Sequence, residues 1–116
     1  MEHYSWETVE KEVLNEKMSR KVISGEKVMI AQISIAQGGV VPAHQHESEQ
    51  ISYVVKGALK FALEGREIVV RQGEVLHIPS NVPHSAVAVE DFFGIDVFSP
   101  IRLDWLTGQD DYLRTK

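Results

Sequence analysis

PAHQHESEQISYVVKG, residues 42–57, places two histidines one residue apart just ahead of a strand-like run. QISYVVK (50–56) is rich in β-branched and aromatic residues and is closed by Gly57, the composition of a strand ended by a turn. Successive side chains on a strand point to opposite faces, so residues two apart share one. His44 and His46 therefore point together if PAHQH is extended, and Gln50, opening the next run, can share their face. Two imidazoles side by side suit a cation, for which a carboxylate would be the natural third partner, yet an amide stands at position 50. An HxH pair also occurs on the solvent face of ordinary strands, and for these two residues alone both readings stay open.

Outward from this stretch the same kind of run recurs. VMIAQISIA (28–36), ALKFALE (58–64), EIVV (67–70), EVLHIP (74–79), HSAVAV (84–89) and FFGIDVF (92–98) are punctuated by SGEK, QGG, KG, EGRE, RQG and PSNVP. Short strands with turn signals at this spacing predict an all-β sandwich or barrel. Ser99-Pro100 before IRLDWL, with Gly108 beyond, predicts a short C-terminal helical turn. The first twenty-odd residues read as edge strands around one short helical turn. His84 opens a strand after the tight PSNVP turn. Asp96 and Phe98 share a face, as do Gln32 and Ser34, and polar residues facing a barrel interior would leave a wet pocket. Asp96 stands out, because a carboxylate inside an IDVF strand is costly to bury without partners. Phe98 has a plain core reading, and Arg102 one as a helix cap or a partner of Asp104. His3 and His77 are read as structural.

Composition bounds the rest. A chain of 116 residues has the length of a single domain, 1–116, and is long enough to bury a core without staples. It has no cysteine, which excludes a disulfide framework and a thiolate zinc site and fits a reducing cytoplasm. A formal net charge of -5 and the lack of any Lys/Arg run argue against a nucleic-acid surface. The N-terminus lacks the pattern of a signal peptide, and apolar runs such as MIAQISIA are too short to span a bilayer. A cytoplasmic protein with no membrane or nucleic-acid partner is the expectation.

Read whole, G38-x5-H44-x-H46-x3-Q50-x6-G57 resembles the first motif of the cupin superfamily, G-x5-HxH-x3/4-E-x6-G. G73-x5-P79-x-N81-x2-H84 resembles the second, G-x5-PxG-x2-H-x3-N. The departures are Gln50 for Glu, Asn81 for Gly and Ala88 for the terminal Asn. Asn81 is a mild one, because Asn tolerates the left-handed backbone that Gly supplies in a tight turn. GIDVFSPIRLDWL further resembles the end of the pectin-degradation cupins, which linearise 4,5-unsaturated monouronates released by pectin and alginate lyases. That subfamily also carries Gln at the third ligand position.

The resemblance implies a small double-stranded β-helix, a jelly-roll barrel, with one divalent transition metal (Ni, Zn, Mn or Fe) held by His44, His46, Gln50 and His84. Three neutral imidazoles and an amide carbonyl leave the ion its full positive charge. That favours an anionic ligand over oxygen-activating iron, which commonly sits on two histidines and a carboxylate. The duller account of the amide is drift at a site that no longer binds metal. The resemblance also places the catalytic Asp, Phe and Arg of the subfamily on Asp96, Phe98 and Arg102. It implies a non-redox enzyme, isomerase or lyase-like, acting on a small anionic sugar acid. It further implies a homodimer, with the segment around Trp6 as a contact. Competing expectations are another mononuclear metal cupin (isomerase or dioxygenase), a non-catalytic small-ligand-binding cupin, and a purely structural barrel.

Overall fold

The computed structural model describes residues 1–114. A single 3-10 turn, Trp6–Thr8, precedes ten strands: β1 (Glu12–Asn15), β2 (Met18–Ser24), β3 (Met29–Ile35), β4 (Val40–His44), β5 (Glu49–Lys56), β6 (Ala58–Leu63), β7 (Arg66–Arg71), β8 (Val75–Ile78), β9 (His84–Ala88) and β10 (Phe92–Ser99). Two short pieces follow, helix α1 (Leu103–Leu106) and a 3-10 turn over Asp111–Leu113. The strands form two antiparallel sheets, β1-β2-β3-β10-β5-β8 and β4-β9-β6-β7, which enclose a jelly-roll barrel. The all-β expectation and the C-terminal helical turn are both met.

Period-two alternation builds the interior. On β5, Gln50, Ser52 and Val54 are buried while Ile51 and Tyr53 face out. Their cross-strand partners on β10 are Phe98, Asp96 and Gly94, so the inner face carries polar groups at one end and apolar ones further in. From the other side Met29, Ala31, Ile33 and Ile35 of β3 close the core with Leu59, Phe61 and Phe92. Gln32 and Ser34 do share a face, but it is the outer one. The inner positions of β3 belong to Ala31 and Ile33, so the wet pocket owes nothing to Gln32 or Ser34.

Strand β4 was not among the expected runs, because VVPAH is short and holds a proline. It forms at the edge of its sheet, where a residue without an N–H is tolerated. Two motif positions have a backbone reason. Gly57 has φ +83°, and a Cβ there would collide with the Asp91 carbonyl. Asn81 sits at φ +61°, the left-handed conformation expected of it. Ala88, where a polar residue was missing from the motif, is buried beside Leu59 as ordinary core.

Beyond β10 the chain crosses the barrel. Trp105 of α1 and Leu113 of the last turn are both buried in the main core. Arg20, 1 % exposed, lies between Trp105, whose ring centroid is 4.1 Å from the guanidinium carbon, and Asp110, which is fully buried. Its Nη2 is 2.6 Å from Asp110 Oδ2, off the direction of a well-formed hydrogen bond, so the contact is ionic. Glu12 of β1 pairs with both Arg20 and Arg114, joining the C-terminal segment to the first hairpin.

Candidate metal centre

His44 closes β4 and His84 opens β9, and the two are paired across the same ladder. His46 lies in the loop between β4 and β5. That loop is held by the second motif, since the Asn81 N–H donates to the His46 carbonyl at 2.8 Å. The bend at Asn81 thus sets His46 against His84, although 38 positions separate them in the chain.

The three imidazoles are oriented alike. Each places Nδ1 2.8 Å from the carbonyl of a residue two positions away: His44 on Pro42, His46 on Ser48 and His84 on Val82. A carbonyl only accepts, so each Nδ1 carries the proton and each Nε2 keeps a lone pair. Backbone fixation of one ring nitrogen is the arrangement that readies the other to bind a metal. One ligand atom from each ring lies within 4.8 Å of those of the other two. His84 Nε2 is buried with no hydrogen-bond partner among the described residues. The expectation that His44 and His46 point together is met, with His84 as the third imidazole.

Gln50 completes the group. Its Oε1 is 3.0 Å from His46 Nε2, and its Nε2 donates to Ser52 Oγ at 2.8 Å. Since His46 Nδ1 holds the ring proton, Gln50 Oε1 and His46 Nε2 are two acceptors turned toward one space. Together with the orphaned His84 nitrogen, this donor set fits a divalent transition metal, and neutral imidazole with amide oxygen suits several of them.

The protonation balance agrees. Burial, aided by the neighbouring His84, Arg102 and His46, holds His44 down at about 4, despite its bond to Pro42. Burial and Arg102 do the same for His46, to about 4, and burial lowers His84 as well. Asp96 moves the other way: burial raises its carboxyl to about 6, against the pull of the Ser52 hydroxyl and the Arg102 guanidinium. Its Oδ2 lies 3.5 Å from Gln50 Nε2, at the limit of a hydrogen bond.

Arg102, 3 % exposed, enters from the segment after β10 and lines the same cavity as His44, Gln50, His84 and Asp96. Of its two ordinary readings one is realised: its Nε and Nη2 clasp Asp104 at 3.0 and 2.8 Å, whereas at the N-cap position of α1 its side chain makes no cap hydrogen bond. Its guanidinium carbon lies 5.2 Å from the Phe98 ring centroid and 4.8 Å from that of Trp105. Phe98 is core, 1 % exposed, and also meets the His46 ring edge-on at 5.8 Å. His77 is outside the site, paired with Glu49 at the surface.

Sequence reasoning missed two residues here. Ser52 was within reach of it, because it lies two positions beyond Gln50 on the same strand. Tyr112 was not: its ring stacks on His44 with centroids 4.5 Å apart, from a turn carrying no periodic signal.

Comparison with known proteins agrees with this geometry. Residues 31–93 match the family described as Cupin domain (Cupin_2). Over 98 residues the chain is 31 % identical to pectin degradation protein KdgF of Dickeya dadantii (strain 3937), covering 82 % of this chain and 89 % of that protein. The solved structure of KdgF from Halomonas sp. superposes with a TM-score of 0.83 at 31 % identity, covering 90 % of this chain and 98 % of the other. An RmlC-like cupin from Shewanella frigidimarina gives a TM-score of 0.84 at 31 % identity, over 90 % and 96 % of the two chains. With both HxH-type and PxN-type motifs in place around three converging imidazoles, the chain belongs to the cupin family, alongside the pectin degradation protein KdgF.

Proposed function

We propose that this protein is a metal-dependent enzyme that linearises 4,5-unsaturated monouronates, by ring opening followed by ketonisation. The observation that carries the reading is the clustering of three imidazoles, two of which, His44 and His84, line one cavity with Asp96 and Arg102. The named relatives support the substrate class, since two of them are KdgF proteins and one is described as a pectin degradation protein.

His44, His46, His84 and Gln50 would hold the ion, which supplies an electrophile for the carboxylate and neighbouring oxygen of the sugar acid. The chain's own residues supply the rest. Arg102 binds the acid group through charge-assisted hydrogen bonds. Asp96 takes the proton from the anomeric hydroxyl. The C1–O bond of the ring then breaks, C1 becomes an aldehyde and the ring oxygen remains as an enolate on C5. Return of the proton to C4 from Asp96 converts the enolate to a ketone, so that atoms and protons balance in an isomerisation. Phe98 lays its ring against the guanidinium. Arg102 also stabilises the enolate charge as it develops, the kind of preorganised electrostatics that contributes most in such sites.

The test is to incubate the protein with unsaturated galacturonate and with the alginate-derived equivalent. The ultraviolet band of the C4–C5 alkene is followed as purified, after chelation, and after restoring Ni, Zn, Mn or Fe(II). Metal-dependent loss of the band above the spontaneous rate, with a linear ketone product, is the expected result. No acceleration with any metal refutes the reading and leaves a cupin metal site of other chemistry.

A further inference from the structure

The segment after α1 brings into the site a residue that neither metal motif contains. Asp111–Leu113 form a single 3-10 turn, too short to be stable by itself. It is pinned on both sides. Leu113 is buried in the core, and its carbonyl accepts from Asn15 Nδ2 at 2.9 Å. Asp110 is fully buried against Arg20 and accepts from Arg114 Nε at 3.0 Å. Taking an ion pair out of water costs several kcal/mol per charge before attraction offsets it, and here that pair fixes the residue two positions before Tyr112.

Between these anchors Tyr112 stays half-buried with its ring on His44. Its hydroxyl oxygen accepts from Arg102 Nη2 at 2.6 Å. A phenol that accepts at oxygen still has its own proton to donate, and among the described residues that proton has no acceptor. Arg102 is in the same condition. Its Nε and Nη2 are committed to Asp104 and Tyr112, while Nη1 has no partner among the described residues. Both residues line the metal-site cavity.

We propose that Tyr112 is a substrate-binding residue whose hydroxyl, together with Arg102 Nη1, forms a two-donor seat for the carboxylate of the ligand. This rests on the reading of the site as one for a carboxylated sugar, and it adds a residue delivered by the Arg20–Asp110 anchor from the far end of the chain. The paired donors select for an acid over the corresponding neutral sugar, because a neutral oxygen gains less from a charged donor pair.

The test uses the full-length protein loaded with Zn²⁺ and titrated calorimetrically with a saturated hexuronate, which binds without an alkene to react, and with the matching neutral hexose. Tyr112→Phe keeps the ring stack and removes only the hydroxyl. It is expected to weaken hexuronate binding roughly 10- to 100-fold, with Zn²⁺ affinity and melting temperature unchanged. With the unsaturated uronate the same variant should raise KM while largely keeping kcat. Unchanged hexuronate affinity overturns the proposal, even where the parent linearises the uronate, and so does a parent that binds no hexuronate. A loss of Zn²⁺ affinity in step with the hexuronate would make Tyr112 a prop for His44 and also overturns it. If the linearisation assay fails while the hydroxyl still governs hexuronate binding, the reaction is refuted and the carboxylate seat stands.

Discussion

Gln50 Oε1 lies 3.0 Å from His46 Nε2, acceptor facing acceptor, because His46 Nδ1 already gives its proton to the Ser48 carbonyl. The amide orientation is set from its other end, where Nε2 donates to Ser52 Oγ at 2.8 Å and faces Asp96. A cation between the two acceptors resolves the opposition without adding negative charge. Gln50→Glu should therefore bind Zn²⁺ at least about tenfold more tightly, since each 1.4 kcal/mol of added attraction is worth that factor. The same change should slow uronate turnover, because the ion loses part of its pull on an anion. Equal turnover by the variant and the parent would show that the neutral ligand has no chemical purpose.

Metal binding to the folded state alone should stabilise it. At a free concentration of about 100 Kd the gain is about 2.7 kcal/mol, which for a domain of this size is a rise in melting temperature of roughly 10 °C. His84→Gln should abolish that rise. In the chelated state this variant should lose no more than the Nδ1–Val82 hydrogen bond, about 1 kcal/mol, because His84 Nε2 has no partner among the described residues to lose. Differential scanning calorimetry with and without Zn²⁺ separates the two effects.

Asp96→Asn should lower turnover by about 10²–10⁴-fold, the usual worth of a placed proton-transfer group. Metal stoichiometry and melting temperature should hold, since the amide can keep the contacts with Ser52 and Gln50. Near-normal activity would remove Asp96 from the chemistry.

The metal-free protein should lose stability as pH falls from about 6.5 toward 4. In the folded state burial holds His44 and His46 at about 4, whereas unfolded histidine takes up its proton at about 6.5. Asp96, raised to about 6, opposes this with a single proton, but the two imidazoles outnumber it, so between those values the unfolded chain still binds more protons and stability rises with pH. Urea midpoints at pH 7, 5.5 and 4.5 should fall in that order, and the slope should flatten in His44→Gln/His46→Gln. A slope unchanged in the double variant would place the pH sensitivity elsewhere.

Asp110→Asn takes away the carboxylate that Arg20 and Arg114 share and leaves Glu12 as the remaining anionic partner of Arg20, so the cost should approach but stay below the about 3–5 kcal/mol of a fully orphaned buried charge. Arg20→Met combined with Asp110→Leu removes both fully buried charges and should restore part of that loss, because well-packed apolar groups replace a buried pair at little net cost, while Glu12 and Arg114 keep their contact with each other. Thermal melts of the three proteins decide it, and a single variant melting within about 2 °C of the parent would deny the pair its anchoring role.

Much of the site was legible because local rules reach it. Period-two alternation foretold that Asp96 and Phe98 share a face, and the resemblance to the two cupin motifs implied that His44, His46, Gln50 and His84 form one group. The motif glycine that Asn81 replaces pointed to a left-handed backbone there, and φ +61° is what the chain adopts. Alternation could not say which face turns inward. Gln32 and Ser34 obey the same rule as Asp96, yet they point outward, because on β3 the pairing with β2 and β10 turns Ala31 and Ile33 to the core. Strand β4 escaped because its proline breaks local propensity, and only its place at a sheet edge makes that harmless.

By itself, then, the order of residues marked most of the strands and the turns, which depend on neighbours a few positions apart, and its resemblance to the cupin motifs named the candidate ligands. The tertiary structure alone decided the protonation pattern of the imidazoles, the pairing of Arg102 with Tyr112 and the buried Arg20–Asp110 contact. Tyr112 lies 68 positions from His44 and Asp110 lies 90 from Arg20. No local periodicity relates such positions, and only closure of the barrel with the C-terminal segment across it brings them within bonding distance.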